Sequence, residues 1–156
     1  MTTNNNISFS TIDYLIIGTA LLFSIIAWVY AGIEFSGLPE TIPSHFNHKG
    51  EADDYSGKSV LWVISGIFTV LIIVIFFIAK NPRLHNIQLK SKEANFRSVA
   101  IFMPYIGIIH LIAIYSTIQS AHGTFSWPEW MLPSIIGLTA VFLAVMFIIL
   151  YKNKKS

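Results

Sequence analysis

The chain has 156 residues, of which 54% are hydrophobic and 12% are charged, and its mean hydropathy is +0.63. The charged share is about half that of an ordinary soluble domain, which argues against a soluble globular protein. The absence of cysteine excludes disulfides, thiolate catalysis and iron–sulfur clusters. A net charge of +2 gives no reason to expect a nucleic-acid partner, and its distribution is more informative than its total.

Four apolar runs, each roughly 20 residues long, dominate the sequence. A helix of that length spans a hydrocarbon core of about 30 Å. Since lipid provides no hydrogen-bond partner for an open backbone, each run should be helical. We therefore predict an all-α integral membrane protein, a four-transmembrane-helix bundle that forms a single membrane domain over residues 1–156. The predicted helices cover about 13–33, 60–79, 99–118 and 131–151.

The first predicted helix carries a stripe of small residues, namely Ala20, Ser24, Ala27 and Ala31. In lipid, such stripes let helices approach closely, so we expect this face to contact a neighbouring helix. The residues before the helix contain no Lys or Arg, unlike the basic start of a secretory signal peptide. We therefore expect the run to be a true transmembrane helix.

The loop predicted at 34–59 concentrates polar residues in an otherwise apolar chain. Pro39 and Pro43 restrict the backbone on either side of them and should stiffen the start of the loop. Gly50 can supply the positive φ that a tight turn needs. We expect Lys58 to direct its apolar stem toward the bundle and its ammonium toward water.

Three interpretations of this loop remain open. As a structural cap, His45, Asn47, Asp53 and Lys58 would bond to one another and to the backbone and close one end of the bundle. As a recognition surface, which is compatible with a cap, the loop would bind a peptide or another membrane protein. As a metal site, His45, His48 and Asp53 would hold a divalent ion. No HExxH-type spacing is present, so the first expectation is a protein without a cofactor.

The third predicted helix contains Pro104, which we expect to disturb its first two turns. It also contains His110, the only ionisable side chain deep inside a predicted span. An intramembrane histidine is either a neutral group bonded to Ser65, Thr69 or a neighbouring carbonyl, or a functional group, for example of a small transporter component. The first of these is the simpler interpretation, because a proton relay would need a carboxylate partner.

In the fourth predicted helix, Pro133 lies at the start, where its missing N–H costs nothing. Gly137, Ala140 and Ala144 form a second small-residue stripe. We expect this stripe to lie on a contact face of the bundle, and it would also permit a homo-oligomer.

The positive charges are distributed unevenly along the chain. Loop 80–98 holds five basic residues and the C-terminal tail holds three, and in a four-helix topology both lie on one side, together with the N-terminus. That side carries eight of the ten Lys and Arg residues. The positive-inside rule places it in the cytoplasm. We therefore predict cytoplasmic termini, a basic cytoplasmic loop at 80–98 and an outward motif loop at 34–59.

Residues 38–58 read L-P-x-x-I-P-x-H-F-N-x-x-G-x-x-D-x-Y-x-x-K. This run resembles the signature of a bacterial membrane family of unknown function that is typified by the SdpI immunity proteins. The order of first helix, outward motif, second helix and basic inner loop is also similar, as is the segment NPRLHN at 81–86. The resemblance implies a multi-pass protein of the bacterial inner membrane and a role in toxin immunity. The positions that match the signature are Pro39, Ile42, Pro43, His45, Phe46, Asn47, Gly50, Asp53, Tyr55 and Lys58.

Our leading hypothesis is a non-enzymatic inner-membrane protein, in contact with the lipid bilayer, whose loop 38–58 recognises a peptide, a toxin or a partner membrane protein. One alternative is a metal-dependent membrane enzyme that uses His45, His48 and the loop acids. Another is a small transporter component that uses His110. Loss of activity on His45→Ala with an intact fold would indicate catalysis, whereas an effect at His110 would indicate transport.

Overall fold

The computed structural model describes residues 7–47, 49–85, 87, 89–123 and 131–153. Four helical stretches in it are long and apolar enough to cross a membrane, namely Thr11–Gly37, Val60–Lys80, Lys92–Ala121 and Pro133–Asn153. The predicted all-α architecture with four spanning segments is confirmed, and the chain is a multi-pass membrane protein. Its elements are α1 (Thr11–Glu34), β1 (Thr41–Phe46), β2 (Ala52–Gly57), α2 (Val60–Lys80), α3 (Lys92–Ala100), α4 (Phe102–Ala121) and α5 (Met131–Asn153).

The centre of the bundle is formed by α1, α2 and α4, of which α1 and α4 pack most closely. The stripe Ala20, Ser24, Ala27 and Ala31 is buried along α1, as its small residues predicted. Gly107 of α4 lies against it, since a Cβ atom at Gly107 would be 2.9 Å from the carbonyl oxygen of Ala20. The backbones of the two helices therefore approach at a point where only glycine fits.

The buried residues form two apolar clusters separated by a polar layer. One cluster lies near the hairpin formed by β1 and β2 and includes Leu38, Ile42 and Ile114, whereas the other lies toward the opposite end and includes Phe96 and Met103. Along the helices, three buried polar side chains, Ser24, Ser65 and His110, occupy positions between these clusters. The hairpin end and the opposite end of the bundle thus have separate cores.

The third spanning segment is longer than predicted and is interrupted near its start. It begins at Lys92, inside the region expected to be loop, and α3 and α4 meet at Ile101. The interruption has a local cause. In an unbroken helix the ring of Pro104 would clash with the carbonyl of Ala100, four residues earlier. The disturbance therefore falls just before Pro104.

An ion pair joins α3 to the start of α1. Arg97 donates from Nε to Oδ1 of Asp13 at 2.8 Å and from Nη2 to Oδ2 at 3.0 Å. Asp13 also accepts hydrogen bonds from the backbone N–H and the hydroxyl of Ser10, and its side chain is fully buried. Arg97 lies within the predicted basic loop at 80–98, but its guanidinium is paired with the carboxylate of a distant helix.

The small-residue stripe of α5 does not lie on a contact face within the chain, contrary to prediction. Gly137, Ala140 and Ala144 are exposed. Helix α5 instead contacts α4 through larger side chains. The Tyr105 and Thr139 hydroxyls are 2.7 Å apart, and the Tyr105 ring stacks on Phe142 at 4.9 Å. Aromatic contacts hold α5 beside α4, and its small residues are left exposed.

Candidate functional site

The polar loop folds into an antiparallel β-hairpin above the ends of α1 and α2. Strand β1 pairs with β2 from Thr41 opposite Gly57 to Phe46 opposite Ala52. Pro43 is tolerated because a two-stranded hairpin leaves one edge of each strand unpaired. Ile42 of β1 faces the bundle, where it is buried and joins the cluster that contains Leu38. Pro43, the next residue, is also buried, although successive side chains of a strand point to opposite faces.

The turn of the hairpin is organised by Asn47. Its side-chain oxygen accepts hydrogen bonds from the backbone N–H groups of Lys49 and Glu51, and its amide donates to the Glu51 carboxylate at 2.9 Å. Gly50 follows with φ of 78° and donates its N–H to the carbonyl of Asn47. This is a left-handed conformation that glycine adopts without strain, as expected for the turn.

Lys58 fastens the return of the hairpin to its beginning. Its ammonium donates to the carbonyl of Leu38 at 3.4 Å and lies 3.0 Å from the carboxylate of Glu40. It also lies 5.3 Å from the centre of the Phe35 ring, a cation–π contact. Because the Lys58 side chain is only 20% exposed, these contacts are partly shielded from water.

His45 and Asp53 meet across the two strands. Oδ1 of Asp53 lies 2.6 Å from Nδ1 of His45. The strand pairing is irregular on both sides of His45, and such bulges redirect the side chains around them. In this arrangement Asp53 fixes the imidazole through one nitrogen and leaves the other, Nε2, directed away from the bond. The His45 side chain is 67% exposed, so this pair lies at the surface.

The hairpin has a second face that is open to solvent. Tyr55 is 57% exposed although it is paired with the buried Pro43. The side chains of Asp53 and Asp54 are exposed beside it, and Pro39, which precedes β1, is exposed at the base of the hairpin. The other side of the hairpin is anchored by Phe46, which is half-buried. The loop thus combines a fixed inner face with a polar and aromatic outer face.

The predicted metal ligands are only partly brought together. His45 and Asp53 are in contact, whereas His48 lies outside the described residues. Among the residues that the structure describes, no group of three or more His, Asp or Glu side chains could hold a metal ion. The metal site of His45, His48 and Asp53 therefore stays a prediction.

His110 lies in the polar layer of the bundle and is fully buried. Its Nδ1 is 3.3 Å from the hydroxyl of Ser24, and its ring stacks on Phe68 at 5.2 Å. The partner is on α1 rather than the predicted Ser65 or Thr69. The Thr69 hydroxyl instead accepts a hydrogen bond from the Trp28 indole and donates one to the carbonyl of Ser65. Within the described part of the chain, His110 Nε2 has no hydrogen-bond partner.

Sequence reasoning missed the strands and the contacts that fasten them. A signal was present, since a turn-forming Asn47 and Gly50 separate two six-residue segments, which is typical of a hairpin with a longer loop. The contact between the hydroxyls of Ser56 and Ser44, at 3.0 Å, had no such signal, because it depends on the register of the strands.

The hairpin and the helix segments on either side of it are similar to known proteins. A family model described as a domain of unknown function, DUF1648, matches residues 22–69, which span the second half of α1, the hairpin and the first half of α2. An uncharacterized protein of Archaeoglobus fulgidus is 34% identical over 53 residues, which are 34% of this chain and 29% of that protein. The chain thus aligns with less than a third of that relative's length. No solved structure matches the chain. It is a membrane protein that contains a segment similar to a domain of unknown function.

Proposed function

We propose that the chain is a non-enzymatic protein of the bacterial inner membrane whose hairpin, at residues 38–58, recognises a peptide, a toxin or a partner membrane protein. In this proposal residues 1–156 form a single membrane domain with both termini in the cytoplasm. The distribution of charge supports this orientation, since eight of the ten Lys and Arg residues lie on the side away from the hairpin. The hairpin would then face the outside of the cell.

The observation that carries the proposal is the exposed outer face of a hairpin that is fixed from behind. The Lys58 contacts hold its base and the Asn47 hydrogen bonds hold its turn, so the exposed side chains are presented in one arrangement. Preorganised surfaces lose less conformational entropy on binding. Tyr55 is the strongest candidate contact, because an exposed tyrosine offers a large area and a hydroxyl at little entropic cost.

The resemblance of residues 38–58 to the SdpI-type signature supports toxin immunity as the form of this recognition. That resemblance covers the hairpin itself rather than the helices alone. The matching residues include those that hold the hairpin, namely Asn47, Gly50 and Lys58. A binding protein of this kind needs a defined shape and no reactive group, which is consistent with an outer face made of a tyrosine and carboxylates.

The test is protection of sensitive bacteria from the toxin that SdpI-type proteins counter. Cells would produce the wild type, Tyr55→Ala, His45→Ala or Phe147→Ala, the last of which changes an exposed aromatic residue on α5. We expect the wild type and Phe147→Ala to protect equally. Tyr55→Ala should raise the sensitivity about tenfold, the effect of losing one aromatic anchor, at unchanged membrane abundance.

Two outcomes would contradict the proposal. If the wild type gave no protection, toxin immunity would be excluded and recognition of another partner would have to be tested by direct binding. If Tyr55→Ala and His45→Ala both protected as well as the wild type, the outer face of the hairpin would not be the recognition surface.

A metal-dependent role is the second candidate, and the His45–Asp53 pair is the observation that favours it. A carboxylate on one imidazole nitrogen orients the other toward a metal ion in many metal sites. Metal content of the detergent-purified protein, measured by mass spectrometry, distinguishes the candidates. Stoichiometric metal in the wild type that disappears in His45→Ala would establish a metal site and justify tests of hydrolysis.

A transport role is the third candidate, and it depends on His110. The observation that favours it is the buried Nε2 atom, which has no partner among the described residues. Such an unsatisfied group in a membrane interior suggests a transient ligand such as water. Proteoliposomes with wild type or His110→Gln would show equal ion or proton leakage if His110 is purely structural.

A further inference from the structure

A cavity of about 240 Å³ lies beneath the hairpin and beside α4. Its walls come from four elements, represented by Phe46 of β1, Ile64 of α2, Ile109 and Ser116 of α4, and Ile135 of α5. It does not involve His45, Tyr55 or the other exposed residues of the hairpin's outer face. The cavity is therefore separate from the proposed recognition surface.

The walls of the cavity are apolar apart from three hydroxyl groups. None of the side chains that line it is titratable, so an ion inside it would lack a charged partner in a medium of low dielectric constant. Ser44 is already hydrogen-bonded to Ser56. Ser116 is 1% exposed and, within the described part of the chain, its Oγ atom has no hydrogen-bond partner. A purely hydrocarbon occupant would leave this hydroxyl unsatisfied.

The polar and apolar walls lie at different depths along α4. Ser116 lies near the hairpin end, whereas Ile109 lies seven residues earlier, about 10 Å deeper at the rise of an α-helix. Ser44 of the hairpin also lines the end near Ser116. The cavity thus changes from polar to apolar toward the middle of the bundle, in the direction in which lipids of the surrounding leaflet change.

We propose that this cavity binds an uncharged single-chain amphiphile from the surrounding leaflet. Its hydroxyl or carbonyl group bonds to Ser116, and its hydrocarbon chain lies along α4 toward Ile109. The occupant also supports Phe46 and so the inner side of the hairpin. The neutral lining excludes a free fatty acid anion, and the unsatisfied hydroxyl favours an alcohol or ester over a plain hydrocarbon.

The test uses the full chain in phosphatidylcholine nanodiscs with a long-chain fatty alcohol that carries a diazirine in its tail. After illumination, mass spectrometry locates the labelled residues. We expect labelling within 109–117 of α4 that unlabelled fatty alcohol displaces and fatty acid at alkaline pH does not. Ala113→Trp, which fills the cavity, should reduce labelling at least about tenfold. Ala140→Trp, on the exposed face of α5, is the matched control and should leave labelling unchanged.

Ser116→Ala tests the hydrogen bond in a variant that changes one atom and should fold normally. The affinity for the fatty alcohol should fall about three- to tenfold, the usual effect of one lost hydrogen bond. The affinity for a diazirine alkane of equal length should not fall. Equal labelling of all lipid-facing surfaces, or equal affinities of wild type and Ser116→Ala for the alcohol, would overturn the proposal. Displacement by an apolar peptide but not by fatty alcohol would overturn it in favour of a peptide side chain. None of these results depends on toxin protection.

Discussion

At the scale of single residues, Lys58 makes contacts of several kinds at the base of the hairpin. Its ammonium meets a carbonyl, a carboxylate and an aromatic ring, and its backbone N–H donates to the carbonyl of Glu40 at 2.9 Å. These contacts are unequal. The Glu40 side chain is 89% exposed, so water and salt weaken that ion pair. The carbonyl of Leu38 and the ring of Phe35 should therefore account for most of the effect of Lys58.

Lys58→Met should loosen the hairpin without unfolding the bundle, because methionine keeps most of the apolar stem. We expect amide hydrogen exchange in residues 38–57 to become about 5 to 30 times faster, which corresponds to about 1–2 kcal/mol. Glu40→Gln removes only the exposed partner and should change these rates less than about threefold. Hydrogen-exchange mass spectrometry in detergent micelles measures both variants. If Glu40→Gln had the larger effect, the ion pair would be the main contact and the argument from exposure would be wrong.

At the scale of the elements, α1 and α4 approach each other closely at Gly107. A Cβ atom there would meet backbone, since the Ala20 carbonyl oxygen would lie at 2.9 Å and the Cβ of Phe23 at 3.3 Å. Backbone atoms cannot move aside as the end of a flexible side chain can. The two helices would therefore have to separate to admit even a methyl group.

Gly107→Ala should destabilise the protein by about 1–3 kcal/mol, the usual cost of overpacking. Gly137→Ala is the control, because a Cβ atom at Gly137 meets nothing within 4 Å and alanine favours the helix. Thermal unfolding in detergent, followed by fluorescence-detected size-exclusion chromatography, should show a lower midpoint for Gly107→Ala only. A similar decrease in both variants would mean that the loss comes from something other than the α1–α4 contact.

For the helices, the sequence predicts the spans well and the contact faces only in part. The spanning helices were predictable because a bilayer requires about 20 apolar residues in a row. The stripe on α1 identified its contact face, whereas the stripe on α5 did not, because Phe142 and Thr139 supply that contact instead. The residue pattern of a single helix cannot decide which of two possible faces packs against a neighbouring helix.

For the candidate site, the sequence predicts which residues take part but not the three-dimensional arrangement of the hairpin that holds them. The turn chemistry of Asn47 and Gly50 follows from local sequence, and the His45–Asp53 contact was among the interactions considered for a cap. The bulge around His45 was not predictable, nor was the ion pair between Arg97 and Asp13. That pair joins residues 84 positions apart, and its formation depends on how α3 turns back against α1.

At the scale of the whole molecule, the Asp13–Arg97 pair fastens the end of the bundle opposite the hairpin. Its two members differ in environment, since the Asp13 side chain is fully buried and that of Arg97 is 34% exposed. Removing Arg97 would leave a buried carboxylate with only the Ser10 donors. Removing Asp13 would leave a guanidinium that can turn toward water or lipid headgroups.

We therefore expect Arg97→Ala to cost about 3 kcal/mol and Asp13→Ala about 1–2 kcal/mol of unfolding free energy. The double variant should be more stable than Arg97→Ala alone, because it removes the uncompensated carboxylate. A double-mutant cycle on unfolding in mixed micelles measures the coupling. Equal losses in the two single variants, with no recovery in the double variant, would contradict this account.

The orientation of the molecule decides whether the hairpin can meet anything outside the cell. The proposed arrangement places Tyr55 outside and Leu84, which follows α2, in the cytoplasm.

Because the chain has no cysteine, a single introduced thiol reports the location of one position without background labelling. Tyr55→Cys and Leu84→Cys are well matched, since the two side chains are 57% and 60% exposed. In spheroplasts, a membrane-impermeant maleimide should label Tyr55→Cys at once and Leu84→Cys only after the membrane is permeabilised. The charge asymmetry is the physical reason, because Lys and Arg near helix ends resist translocation. The reverse pattern would place the hairpin in the cytoplasm, and recognition of an external toxin would then be excluded whatever the structure of its outer face.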